Sequence, residues 1–307
     1  MPPASIPASI PGILDVTVIR GAHAAPGAAP DLVIEVPHGA TATADFTAAA
    51  APLTSRLPDD LVAFFHANTD AGAPELAVAI AHRITDADPV RSVVVVRCRI
   101  PRTFIDCNRR IDAPADAFAA GKLTPGLMPW ITTDDDRARL LAGHERYVAC
   151  VHQATAELAG HGGVVLLHSY APRTVDVEVD LDIVASLRRA YQPDRAETWP
   201  LRPEVDVIGR APDGTDHAPA AVVAALRNEL AALGIAVADS ATYSLHPGTL
   251  AWDHVQARPG RALCVEIRRD LLADPFEPFA EMQISAAKVD RLAAPFARAL
   301  ARWWATP

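Results

Sequence analysis

Cysteine is scarce in this 307-residue chain, and no two cysteines have CxxC spacing. Four cysteines so placed make neither the disulfide framework of a small secreted protein nor a zinc knuckle. We therefore expect buried free thiols in a reducing compartment. The cysteines are Cys98, Cys107, Cys150 and Cys264.

Other absences exclude several classes of function. The chain has no dense run of Lys and Arg and a formal net charge of −9, which disfavours nucleic acid or an anionic membrane as the main partner. No apolar run approaches the length of a membrane span, and residues 1–12 lack the basic start and apolar core of a signal peptide. The expected location is the cytoplasm. A GxGxxG motif and a P-loop are both absent, and Ser169 does not lie in a GxSxG turn, so nucleotide binding and serine-hydrolase chemistry lack support.

Half of the residues are hydrophobic, which is enough for a large core. Strand-like and helix-like segments alternate, and this predicts an α/β fold in which helices cover both faces of a mainly parallel, mixed sheet. Residues 1–12 are expected to form a flexible N-terminal arm, and residues 13–307 a single domain. Strands are expected at 31–36, 91–97, 164–167, 205–209, 235–238 and 263–267. Helices are expected at 59–67, 74–85, 132–159, 219–233 and 279–304.

Three of the predicted strands run into side chains that suit metal chemistry. Residues 33–36 lead to His38, residues 164–167 lead to His168, and residues 262–265 lead to Glu266. In α/β proteins the ends of parallel strands form the edge where sites lie. Two imidazoles and a carboxylate there suggest a metal with a general base beside it. Alternatively, the His38 side chain could form a hydrogen bond within its own turn and bind no ligand, and Glu266 could pair with a nearby arginine.

A third metal ligand has two candidates, Asp70 and Glu75. Asp70 lies just before a predicted helix, next to the Ala71-Gly72 turn, whereas Glu75 lies in the first helical turn. Either carboxylate could instead cap the helix or complement its dipole. Asp70 is preferred because it lies outside the helix.

Residues 99–110 follow the most apolar strand, and five of these twelve residues are charged. Arginine binds carboxylates through two parallel hydrogen bonds, and Asn108 adds a neutral donor. Asp106 could hold one of the arginines in place. A purely structural salt-bridge cluster is an open alternative. Further polar residues lie near the same predicted rim, namely Arg173, His217, Tyr243, His246 and His254.

In order and spacing, these motifs resemble the N-formylglutamate amidohydrolase family, which is related to the zinc carboxypeptidases. The matching segments are Pro37-His38-Gly39, Asp70-Ala71-Gly72, Arg102 to Arg109, Leu167-His168-Ser169 and Glu266-Ile267-Arg268. The resemblance implies a three-layer, zinc-carboxypeptidase-like (phosphorylase/hydrolase-like) fold with one zinc ion per chain. It departs from the carboxypeptidases at Thr41, where they carry a ligand glutamate, so Asp70 is the expected replacement.

The resemblance also implies roles for individual residues. His38, Asp70 and His168 would hold zinc, and Glu266 would take a proton from an activated water. Arg102 would stabilise the oxyanion, and Asn108 and Arg109 would bind a substrate carboxylate. Arg173 and Tyr243 are two further candidate substrate-binding residues.

The implied function is hydrolysis of an N-acyl amino acid such as N-formylglutamate, a small amide that bears a carboxylate. The alternatives are a carboxypeptidase-like peptidase, a hydrolase of a specialised metabolite, and a binding protein that kept the fold without turnover. A site of two histidines and one carboxylate also suits iron or manganese. The oligomeric state does not follow from the sequence.

Overall fold

A computed structural model of the chain describes residues 5–112 and 125–304. In these residues seven strands form one sheet in the order β1-β3-β2-β4-β7-β5-β6. The central strands β3, β2, β4 and β7 run parallel, β1 and β5 join them antiparallel, and β6 runs parallel to β5. This confirms the predicted α/β class with a mainly parallel, mixed sheet. The strands are β1 (Leu14–Arg20), β2 (Leu32–Val36), β3 (Ser92–Cys98), β4 (Gly163–Tyr170), β5 (Val205–Val207), β6 (Val237–Asp239) and β7 (Ala262–Arg268).

Helices cover both faces of the sheet. Successive strand residues point to opposite faces, so Ile34 packs into one apolar core and Val33 into the other. The Ile34 face is covered by α3 (Ala73–Ala87), α7 (Ala220–Ala231) and α9 (Ala286–Leu300). The Val33 face is covered by α2 (Leu61–Asn68), α4 (Asp134–Ala156), α5 (Ile183–Ala190) and α8 (Leu250–Ala257). The short helices α1 (Thr43–Ala50) and α6 (Pro193–Ala196) and the 3₁₀ turns Arg269–Leu271 and Ala301–Trp303 complete the elements.

The structure shortens the last predicted helix, lengthens two predicted strands and adds one strand. The last helix begins at Ala286, not at 279, because the Ser285 side chain caps it by accepting from the Lys288 amide. The edge strand β1 was not predicted; its polar and apolar residues pair antiparallel with β3. Strands β4 and β7 extend further than expected, because their ladder continues to the pair Tyr170 and Arg268.

Residues 5–12 contact the domain. The Ser5 carbonyl accepts from Gln153 Nε2 at 2.7 Å, and Ser9 Oγ accepts from the Val16 amide at 2.8 Å. The flexibility of residues 1–12 stays a prediction, since residues 1–4 lie outside the described part. No helix within residues 5–112 and 125–304 is both long and apolar enough to cross a membrane.

Candidate metal centre

His38 lies in a tight turn directly after β2. A Cβ atom at Gly39 would come within 2.6 Å of Arg97 Cγ and 3.1 Å of the Cys98 carbonyl oxygen, so only glycine lets this turn approach β3 so closely. The His38 side chain is buried, with an exposed fraction of 4%. Its Nδ1 atom lies 3.2 Å from Asp70 Oδ2, and its Nε2 atom lies 2.7 Å from Asp106 Oδ1.

Asp70 lies between α2 and α3, beside the His38 turn. Gly72 begins α3 with a φ of +86°, a left-handed conformation that glycine adopts without strain. The Asp70 amide donates to the His38 carbonyl at 3.4 Å, which holds the two residues together. Glu75 is exposed in the first turn of α3. The structure therefore brings Asp70, and not Glu75, to the histidines.

His168 and Glu266 lie opposite each other on the parallel neighbours β4 and β7. His168, which was expected just after its strand, belongs to β4 itself, and Glu266 lies within β7, in agreement with the predicted strand at 263–267. His168 Nδ1 lies 2.9 Å from Asp70 Oδ2, so this one oxygen faces the Nδ1 atoms of both His168 and His38. The two rings are 5.0 Å apart between centroids, and the three ligand atoms lie within 4.8 Å of one another.

This donor set fits a divalent metal ion. Zinc bonds of about 2.0–2.1 Å place two tetrahedral ligand atoms roughly 3.3 Å apart. The distances from Asp70 Oδ2 to the Nδ1 atoms of His38 and His168, 3.2 Å and 2.9 Å, are close to this value. Metal-binding histidines usually give their other ring nitrogen to a carboxylate. Asp106 does this for His38 and leaves Nδ1 directed at the centre.

The electrostatics of the centre favour a cation. Burial by itself would raise the pKa of Asp70, but the adjacent histidines outweigh it and hold that pKa well below its ordinary value. Burial likewise opposes a charge on His168, yet its hydrogen bond to Asp70 raises the His168 pKa well above the ordinary value. The Asp70 carboxylate therefore stabilises a positive charge placed beside it, and a divalent ion would carry such a charge.

Asp106 joins the arginine cluster to the centre. It is fully buried, and its Oδ2 atom accepts from Arg102 Nη2 at 3.0 Å and lies 3.5 Å from Arg109 Nη2. Burial would raise the pKa of Asp106, but the charges led by Arg109 lower it well below the usual range. Arg102 Nη1 lies 3.4 Å from His38 Nδ1, and Asn108 Nδ2 lies 3.5 Å from His168 Nε2. The cluster therefore reaches both histidines of the candidate metal centre.

Several buried polar atoms around the centre lack a hydrogen-bond partner in the described part of the chain. They are Glu266 Oε2, Asn108 Oδ1 and Arg102 Nε. Buried polar atoms are nearly always paired in folded proteins, so a group of unpaired ones at one place indicates a ligand site. Burial raises the pKa of Glu266 above its ordinary value, a shift in the direction that suits a carboxyl group that exchanges protons.

The comparisons with known proteins agree with this arrangement. The model of the N-formylglutamate amidohydrolase family matches residues 30–273, which is more than half of the chain. The chain belongs to this family. Its hydrolases act on carbon–nitrogen bonds, and the matched range contains His38, Asp70, His168 and Glu266. No match is found among curated proteins.

Two solved structures share the fold. An N-formylglutamate amidohydrolase from Ralstonia eutropha JMP134 is 20% identical with a TM-score of 0.58, over 94% of this chain and 98% of that one. A gene product of Agrobacterium tumefaciens is 16% identical with a TM-score of 0.51, over 94% of each chain. At these identities the likeness concerns the fold alone.

The two remaining candidates, Arg173 and Tyr243, have other contacts. The Arg173 guanidinium donates to the Trp199 carbonyl at 2.8 Å and pairs with the Glu197 carboxylate. The Tyr243 hydroxyl accepts from Arg202 Nη2 at 3.1 Å. Substrate binding by Arg173 and Tyr243 stays a prediction. Arg202 was not considered, because residues 200–203 match no motif.

A second buried polar cluster, on the same face of the sheet as His168, was also missed. Glu35 in β2 accepts from the Tyr147 hydroxyl at 2.7 Å through Oε1, and its Oε2 lies 2.8 Å from His254 Nε2. His254, which the sequence placed near the predicted rim, lies in α8 and is buried. The sequence feature that could have revealed this cluster is an acidic residue, Glu35, within the otherwise apolar segment 32–36.

Proposed function

We propose that this protein is a zinc-dependent amidohydrolase that cleaves the amide bond of an N-acyl amino acid such as N-formylglutamate. The observation that carries the proposal is the group His38, Asp70 and His168 with the unpartnered Glu266 carboxylate on the neighbouring strand. Membership of the family supports hydrolysis of an amide.

The three ligands would be the Nδ1 atoms of His38 and His168 and the carboxylate of Asp70. Zinc bound there would acidify a water molecule and polarise the amide carbonyl. Asp106, through its contact with His38 Nε2, would keep the His38 ring in the tautomer that presents Nδ1 to the metal.

The protein side chains then move the protons and stabilise the charge. Glu266 takes the proton from the attacking water as the new carbon–oxygen bond forms, and it returns a proton to the amine nitrogen as the carbon–nitrogen bond breaks. Arg102, 3.4 Å from His38 Nδ1, donates to the oxyanion that develops on the carbonyl oxygen. Asn108 and Arg109 bind a carboxylate of the substrate. The products are the free amine and the carboxylic acid of the acyl group.

The test compares the wild type with Glu266→Gln, using N-formyl-L-glutamate as substrate and mass spectrometry for metal content. We expect about one zinc per chain in both proteins, and turnover at least about 10²-fold lower in the variant. Glu229→Gln, which changes a carboxylate on the outer face of α7, serves as the matched control and should retain full turnover.

Three outcomes would contradict the proposal. Full activity of Glu266→Gln would remove this residue from the chemistry. Cleavage of short peptides in preference to the formyl amino acid would favour the peptidase alternative. Protein without metal and without turnover, even after zinc is supplied, would favour a binding protein on this fold.

A further inference from the structure

Arg202, unlike Arg102 and Arg109, has no acidic partner in the part of the chain that the structure describes. In residues 5–112 and 125–304 no carboxylate lies within salt-bridge distance of its guanidinium. Its side-chain hydrogen bonds go to neutral groups, including Thr174 Oγ1 and the Tyr243 hydroxyl, each at 3.1 Å. Arg102 and Arg109, in contrast, share Asp106. A half-buried guanidinium without a counter-ion is suited to bind an anion.

Two tyrosine rings hold this guanidinium in place. Arg202 Cζ lies 5.0 Å from the centroid of Tyr170 and 5.6 Å from that of Tyr243, both within the range of cation–π attraction. Tyr170 is buried, whereas Arg202 and Tyr243 are partly exposed. The group is therefore oriented before any ligand arrives, which lowers the entropic cost of binding.

The backbone of Arg202 is attached to the strands that carry the metal centre. Its amide donates to the Pro172 carbonyl at 2.8 Å, and its carbonyl accepts from Arg268 Nη1 at 3.0 Å. Arg268 lies two residues after Glu266 on β7, and Tyr170 lies two residues after His168 on β4. Residues two apart on a strand share a face. Arg202 therefore lies over the same face as His168 and Glu266, at the level of Tyr170 and Arg268, which follow them by two residues on β4 and β7.

The loop that carries Tyr243 is fastened next to Glu266. Asp206 lies opposite Glu266 on β5, and its carboxylate accepts from the amides of Ala241 at 3.1 Å and Thr242 at 2.8 Å. The Tyr243 hydroxyl accepts from Arg202, so its own proton can be given to another acceptor.

We propose that Arg202 and the Tyr243 hydroxyl form a specificity-determining anion site that binds a second carboxylate of the substrate, on the amino-acid side chain. This inference rests on the proposed function, in which Asn108 and Arg109 bind the first carboxylate. It adds two residues that would determine specificity for the side chain of the amino acid. A neutral side chain would leave the Arg202 charge without its partner.

The first experiment measures binding and does not depend on turnover. L-glutamate and its neutral isostere L-glutamine are titrated calorimetrically into zinc-loaded wild type, Arg202→Gln and Arg298→Gln. Arg298 is an exposed arginine of α9 that pairs with Glu229, and it serves as the control. Loss of a charge-assisted pair predicts at least about tenfold weaker glutamate binding to Arg202→Gln, with glutamine binding changed less than about twofold. Equal losses for both ligands, or no loss, would overturn the inference.

Two further variants separate charge from folding. Arg202→Lys keeps the positive charge and should retain part of the preference for glutamate, and Tyr243→Phe should weaken glutamate binding while glutamine binding stays unchanged. If Arg202→Gln does not fold, these two variants carry the test. An unchanged preference in both would then overturn the inference.

The inference and the proposed function can fail separately. The same proteins are assayed for turnover of N-formyl-L-glutamate and N-formyl-L-glutamine, where Arg202→Gln should lower kcat/KM only for the first. A wild type that turns over neither compound but prefers glutamate through Arg202 would overturn the proposed function and support the anion site. A wild type that turns over N-formyl-L-glutamate but shows no preference for glutamate through Arg202 would support the proposed function and overturn the anion site.

Discussion

Two buried carboxylates, Glu35 in β2 and Asp70 in the connection between α2 and α3, each lie between ring-bearing side chains, but their surroundings differ. Glu35 uses one oxygen for the Tyr147 hydroxyl and the other for His254 Nε2. Asp70 presents a single oxygen to two imidazole nitrogens. Atoms without partners surround Asp70, whereas the hydrogen bonds of Glu35 are complete.

The difference indicates what each cluster is for. In the Glu35 cluster each carboxylate oxygen has its own partner, so no ligand is required to satisfy the carboxylate. The two hydrogen bonds attach α4 and α8 to β2. In the Asp70 cluster one carboxylate oxygen faces the Nδ1 atoms of both His38 and His168. Three donor atoms that face one another in this way are suited to bind a cation between them. We therefore expect changes at Asp70 to affect metal and turnover, and changes at Glu35 and its partners to affect the free energy of unfolding.

Asp70→Asn should have the largest effect, because the amide supplies no negative charge to a divalent ion. We expect loss of stoichiometric zinc and of turnover, measured by mass spectrometry and by hydrolysis of N-formyl-L-glutamate. Glu75→Gln, an exposed carboxylate five residues away, should keep both. Zinc retained by Asp70→Asn and lost in Glu75→Gln would reverse the assignment of the third ligand.

His254→Ala should be the most damaging change to the second cluster, because it leaves Glu35 Oε2 charged, buried and without its ring partner. Breaking a buried pair in this way costs about 3–5 kcal/mol. Urea denaturation in the presence of a chelator would measure the loss without a contribution from bound metal. Zinc stoichiometry of the folded variant should stay at the wild-type value. A stable His254→Ala protein that no longer binds zinc would make this cluster part of the metal centre.

Glu35→Gln should lower the free energy of unfolding by roughly 1–3 kcal/mol at neutral pH, since hydrogen bonds to a charged acceptor are lost. Burial would raise the pKa of Glu35, but its bonds to His254 and Tyr147 lower it below the ordinary value of 4.5. A depressed pKa stabilises the fold above the unfolded-state pKa and loses that contribution as pH falls. The gap between wild type and variant should therefore shrink below about pH 4.5. A gap that widens on acidification would show that the pKa is raised instead.

Tyr147→Phe should have the smallest effect of the series. It removes one donor to Glu35 Oε1 and keeps the ring, at a cost of about 1 kcal/mol. The melting temperature at fixed zinc should fall, with kcat for N-formyl-L-glutamate unchanged. A fall in kcat at equal zinc content would connect the second cluster to the chemistry.

The candidate site was largely predictable from local patterns. His38, His168 and Glu266 stood out because each adjoins an apolar strand, and Asp70 because a glycine turn separates it from its helix. Arg202 was missed because its position depends on the pairing of residues 172–174 with 200–202, two segments without strand character. Glu35 was passed over because an apolar strand was expected to be buried throughout, and its partners lie 112 and 219 residues away in sequence.

The sequence by itself determined the alternation of strands and helices and the residue types that could hold a metal, because hydrophobic periodicity and strand-end position are local properties. Only the tertiary structure decided which of those residues meet. The strand order brings β2, β4 and β7 side by side, so that His38, His168 and Glu266 converge across more than 200 residues of chain. It also decided that Glu35 uses its two oxygens for two separate partners whereas Asp70 presents one oxygen to two imidazoles, because that difference depends on distances between side chains from separate elements.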